Sequence, residues 1–106
     1  MKMLKSLKDG LAKFISGYDY VPEEVLEASE YFRHYGAINF RFEKVDSEII
    51  ATSTNFKWGT IITSGKNLKE LDRNIKDAIL TAFSVPSVYA KRLDIKKVDQ
   101  REYALA

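Results

Sequence analysis

The sequence predicts an α+β fold: a three- to four-stranded antiparallel sheet covered by one long helix, with a helical hairpin before it. Two changes of period predict it. Apolar residues recur at helical spacing up to Tyr35, then alternate from Ile38, then return to helical spacing after Gly65. A chain of 106 residues, 45% hydrophobic and 30% charged, is large enough for one domain with its own core. It has no cysteine, which excludes a disulfide framework, a thiol nucleophile and a Cys-based zinc site.

Residues 3–16 place Leu4, Leu7, Leu11, Phe14 and Ile15 at helical spacing, with lysines largely elsewhere. Pro22 suits the first turn of a second helix, and Glu23 and Glu24 favour its positive end. Val25, Ala28, Phe32 and Tyr35 form its apolar stripe, and Gly36 stops it. Lys2, Lys5, Lys8 and Lys13 oppose Asp19, Glu23, Glu24, Glu27 and Glu30, so residues 1–36 read as a charge-complementary helical hairpin packed on the core.

From Ile38 the pattern is that of strands. "INFRFEKV" puts Ile38, Phe40 and Phe42 on one face and Asn39, Arg41 and Glu43 on the other. Asp46–Ser47 is a two-residue turn into "EIIATST", which sets Phe42 opposite Ala51, Phe40 opposite Ser53 and Arg41 opposite Thr52. "FKWGTIITS" reads as a third strand, with Gly59 marking a bulge or a close approach.

The helix that follows carries the clearest local signal. Asn67 with Glu70 makes a capping-box start, and Leu68, Leu71, Ile75, Ala78, Ile79 and Ala82 form one stripe. Leu68, Leu71, Ile75, Ala78 and Ile79 are expected to pack on Ile38, Phe40 and Phe42. Asp72–Lys76 and Arg73–Asp77 stand at ion-pair spacing, and Pro86 ends the helix near Phe83. "LDIKKV" reads as a last short strand, with "EYALA" extending it or fraying.

Residues 38–83 resemble the HicB-like antitoxin family. The resemblance rests on Gly65, Leu68, Glu70, Leu71, Asn74, Ile75, Ala78 and Ile79, in the family's order, and on the hairpin "FRFEKVDSEIIATS". Gly59 and Gly65 stand six residues apart where the family has nearer five, and the helical hairpin of residues 1–36 lies outside the family core. The resemblance implies a degenerate RNase H-like core in residues 37–106 that has lost nuclease chemistry. It further implies a homodimer that binds a small toxin ribonuclease. Relatives often carry a separate DNA-binding domain after the core; too few residues follow here for one to be expected.

No catalytic constellation stands out. Glu43, Asp46 and Glu48 cluster at a hairpin end, where a solvated turn explains them better than a metal site. His34 is the only histidine, near a helix end whose dipole favours it. The expectation is therefore a non-enzymatic protein without cofactor or metal. Binding candidates are Arg41, Lys57 and Trp58 on the sheet, and Lys91, Arg92, Lys96, Lys97 and Arg101 in a basic C-terminal segment. They would suit a protein partner or, alternatively, RNA or DNA through phosphate contacts and base stacking. Trp58 reads first as a core or interface anchor, and the lysines equally suit a protected edge strand. The net charge of +2 does not decide between these readings. No apolar run approaches the roughly 20 residues of a membrane span, and lysines interrupt the N-terminal segment, so a cytoplasmic protein is expected.

Overall fold

The computed structural model describes residues 23–86, 89 and 93–105. The first predicted helix, and with it the hairpin of residues 1–36 as a unit, lies outside these residues, as do Lys91 and Arg92. Helix α1 (Glu23–Tyr35) leads into strands β1 (Ile38–Val45), β2 (Glu48–Ser53) and β3 (Ile62–Gly65). Helix α2 (Leu68–Ala82) follows, then the hairpin of β4 (Ile95–Asp99) and β5 (Glu102–Leu105). The architecture is α+β, with one five-stranded sheet of order β3-β2-β1-β5-β4 and every neighbouring pair antiparallel.

The first hairpin has the register that the sequence predicts. Asp46 and Ser47 form the loop, Asp46 with a positive φ of 56°, a conformation that Asp tolerates better than most side chains. Phe42 then pairs with Ala51, Arg41 with Thr52 and Phe40 with Ser53. The tail differs from expectation. "EYAL" neither extends the preceding strand nor frays; it turns back as β5 and inserts between β4 and β1, making five strands rather than three or four. Its Tyr103 pairs with Ile38, and both are almost fully buried. An apolar partner for the exposed edge of β1 drives that insertion.

The predicted third strand is also shorter than its alternation suggests. Residues 54–61 form a loop, and only Ile62–Gly65 pairs along β2. Side chains on the loop replace ladder bonds. Asn55 accepts from the Asn39 N–H at 2.7 Å and donates to the Ala37 carbonyl at 3.0 Å, as a strand residue would. The Ser53 hydroxyl accepts from the Ile61 N–H at 2.8 Å. Gly59, at φ 142°, gives the loop a conformation that L side chains rarely adopt.

Helix α2 begins as its sequence predicts. The Asn67 side chain accepts from the Glu70 N–H at 2.8 Å, and Glu70 reaches back to the Lys66 N–H at 3.2 Å. Its end is a Schellman motif: Val85 N–H donates to the Leu80 carbonyl at 3.0 Å and Ser84 N–H to that of Thr81 at 2.9 Å. Leu71, Ile75 and Ile79 are buried against the sheet, each contributing about 1.5–3 kcal/mol by leaving water. Leu68, predicted to join them, is the first residue of the helix and is 60% exposed.

Gly65 sets how closely α2 approaches the sheet. A Cβ there would stand 2.6 Å from the Leu71 nitrogen and 2.8 Å from its Cα, both backbone atoms. The Asn74 amide then donates to the Ser64 carbonyl at 2.7 Å, tying the middle of the helix to the same strand.

Helix α1 packs on the same core through Val25, Leu26, Ala28, Tyr31 and Phe32. Tyr31 is buried although the predicted stripe omits it, and Tyr35, predicted in the stripe, is 45% exposed. Tyr31 is drawn inward by rings on both sides of it in space, Phe56 at 5.2 Å and Phe83 at 5.3 Å between centroids. Gly36 ends the helix at φ 81°, its N–H donating to Phe32. No helix among the described residues is long and apolar enough to cross a membrane.

Candidate binding cleft

One flank of α1 forms a cleft with the 54–61 loop. Glu27, Glu30, Tyr31, His34 and Tyr35 recur at spacings of three and four, so they share that flank. The Tyr31 hydroxyl accepts from the Lys57 N–H at 3.0 Å, which brings the neighbouring Trp58 against the helix. Together these residues and Trp58 line a volume of about 430 Å³.

The walls of the cleft are aromatic. The Tyr31 ring meets Trp58 edge-on at 5.0 Å and 75°, and lies tilted against Tyr35 at 4.9 Å and 47°. Trp58 also touches Phe83 at 5.5 Å and Phe56 at 6.2 Å, so its ring is braced from behind. It nevertheless remains 54% exposed, a large apolar surface left in water on a fixed support. The rim is acidic. Among the described residues neither Glu27 nor Glu30 has an ion-pair partner; the ion pair there joins Asp72 and Lys76, at 3.1 Å. The Lys57 ammonium lies 5.9 Å from the Tyr35 centroid, a cation–π contact beside the cleft.

Among the described residues, the other sequence-predicted binding candidates, Arg41, Lys96, Lys97 and Arg101, are not gathered at one place. Arg41 lies on the sheet face away from the helices, opposite Thr52. Lys96 pairs with Ala104 and shares that face, whereas Lys97 pairs with Tyr103 and turns to the helix side. Arg101 sits in the β4–β5 turn with its guanidinium 5.4 Å from the Phe42 centroid. By strand register the outer face carries Arg41 and Lys96 together with Glu43, Glu48 and Glu102. Opposite charges therefore alternate across it. Trp58 and Lys57 are not on the sheet at all, since their segment leaves β2 before β3 begins.

A second polar arrangement holds α2 to the far side of the sheet. The buried Tyr103 hydroxyl donates to Asp72 at 2.8 Å. Burial, then the hydrogen bond and charge of Asp72, hold that hydroxyl well above its ordinary value. Burial would raise the Asp72 carboxyl, but the bonds from Tyr103 and Lys76 and the charges of Lys76 and Lys97 outweigh it and hold it low. This is a structural clasp, closed on both sides.

Among the described residues no group of three or more His, Cys, Asp or Glu converges, and no buried side-chain polar atom lacks a partner. Glu43, Asp46 and Glu48 are exposed at the β1–β2 hairpin end. Helix spacing on α1 could have revealed the acidic and aromatic flank. The part played by Trp58 could not have been found that way, because it depends on a loop contact to Tyr31. No family model matches the chain, and no curated protein and no solved structure is detectably similar to it.

Proposed function

We propose that this chain is a non-catalytic protein-binding module whose docking surface is the Trp58 cleft on α1. The observation that carries the reading is a half-exposed tryptophan braced by Tyr31, Phe56 and Phe83 beside two glutamates that have no ion-pair partner among the described residues. Rigid aromatic anchors of this kind dominate protein interfaces, because they bury much area at little entropic cost. The acidic rim selects a basic partner. A small toxin ribonuclease, the partner class that the HicB-like resemblance implies, fits such a rim, and the reading extends to an antitoxin that works by steric occlusion.

Binding of RNA or DNA is the weaker reading. Among the described residues, the exposed rings of Trp58 and Tyr35 stand beside Glu27 and Glu30, which would repel phosphates. The cations Arg41, Lys96, Lys97 and Arg101 are spread over three places.

The test is recovery of the tagged chain from its native cells, with mass spectrometry of what it retains. A small basic ribonuclease is expected with the wild-type chain and should be lost with Trp58→Ala. Retention of no such protein, or retention indifferent to that substitution, removes the reading.

A further inference from the structure

The identity of the group that the cleft takes can be narrowed, and this step rests on the function proposed above. We infer that the cleft is a cation cage, which receives the ammonium of a lysine side chain carried on a segment of the partner protein. Three features carry it. The half-exposed Tyr35 and Trp58 rings flank the nearly buried Tyr31 ring, which meets them at 47° and 75°, along one volume. Aromatic faces are electron-rich, so the exposed surface of Tyr35 and Trp58 offers a cation an attractive wall. The volume of about 430 Å³ exceeds a lone side chain and accommodates a lysine with flanking backbone. Glu27 and Glu30, one turn apart on the rim, supply the countercharge.

The chain's own Lys57 shows the preference at work. Its ammonium lies against the outer ring of this wall, Tyr35, at 5.9 Å. It therefore competes with an incoming cation by charge, without filling the space between Trp58 and the glutamates. A nucleic-acid surface would use Lys57 as a contact; a cation cage works better without it. The two readings thus predict opposite signs for one substitution.

Trp58 is the only tryptophan in the chain, so its emission reports the cleft directly. The probe is the blocked peptide acetyl-AKAAK-amide, a sequence absent from this chain, titrated into the full-length chain at low salt, alongside the same peptide with both lysines N-acetylated. Saturable change in emission is expected with the first peptide and not with the second. Glu27→Gln with Glu30→Gln should weaken binding by about threefold per glutamate, as exposed charge pairs do. Lys57→Ala should tighten it by about twofold. Equal response to both peptides, no saturable response in the millimolar range, or weaker binding by Lys57→Ala would overturn the inference.

Two other occupants are distinguishable outcomes that overturn it. A shift of Trp58 emission on Lys5→Glu with Lys8→Glu, without peptide, assigns the cleft to the chain's own N-terminal lysines. Salt-sensitive quenching by a single-stranded RNA oligonucleotide assigns it to nucleic acid. The peptide titration uses the chain alone, so its failure leaves recovery of a ribonuclease from cells as an independent result.

Discussion

The two edges of the sheet, β3 and β4, meet the same hazard by different means. An edge strand offers unpaired N–H and carbonyl groups to any other chain. Strand β4 is defended by what it carries: Lys96, Lys97 and a register shift between Lys97 and Asp99 that bends its free side. Strand β3, "ITSG", carries no charge and exposes Ile62 to 65%. It is defended by α2. The Ser53 N–H donates to Ile61, so alternation along the ladder turns Ile62 and Ser64 outward. The outward Ser64 carbonyl is then taken by Asn74, and the Lys66 N–H by Glu70. The difference teaches where a partner can dock. Neither edge offers a long run of free backbone groups, whereas the exposed Trp58 and Tyr35 rings line one cleft.

The largest expected effect lies at the β3 edge. Gly65→Ala should destabilise the protein by about 3 kcal/mol, because the clashing atoms belong to the Leu71 backbone and cannot swing aside. The urea midpoint measures it, and a loss below about 1 kcal/mol would mean that α2 is free to move off β3.

At the other side of the sheet, Tyr103→Phe removes the bond to the partly exposed Asp72 and should cost about 1 kcal/mol. Its pH dependence has two arms. Asp72 is held below its ordinary 3.8, so its contribution is present above that pH and lost as pH falls further. Tyr103 is held above its ordinary 10.0, so its contribution is present below that pH and lost as pH rises beyond it. Midpoints measured across both ranges should show the alkaline arm vanish in the variant and the acid arm flatten. An unchanged profile would place the titrating groups elsewhere.

The smallest effects on stability separate the two defences. Asn74→Ala should cost at most about 1 kcal/mol, and Lys96→Thr with Lys97→Thr under about 0.5 kcal/mol. Both should raise self-association in sedimentation velocity, Asn74→Ala by freeing an acceptor and the double variant by removing charge. If only the lysine variant associates, the Asn74 bond does not guard the edge.

Much of this fold is legible in the sequence where one local rule acts alone. The Asp46–Ser47 turn fixes the β1–β2 register, and Asn67 with Glu70 fixes the start of α2. Legibility fails where a distant side chain replaces the local pattern. "FKWGTIITS" alternates like a strand, but Asn55 bonds to β1 and Tyr31 holds Lys57, and the segment becomes a loop. The same contact moves Trp58 from a sheet face to a helix flank. "EYAL" is too short to announce a separate strand; Tyr103 acquires its place from residues distant in sequence, Ile38, Phe40 and Asp72. The basic residues illustrate a further limit, since neighbours such as Lys96 and Lys97 face opposite sides of a sheet. Proximity along the chain is not proximity in space.

The Schellman turn after α2 has a serine, at φ 57°, in the position that glycine fills without strain. Holding an L side chain in that left-handed well costs about 1 kcal/mol. The strained peptide directly follows Phe83, whose ring backs Trp58, so the wall of the cleft is mounted on a wound spring. Replacing that serine with glycine would relax the mount without touching the cleft, leaving a steadier protein with its binding face intact.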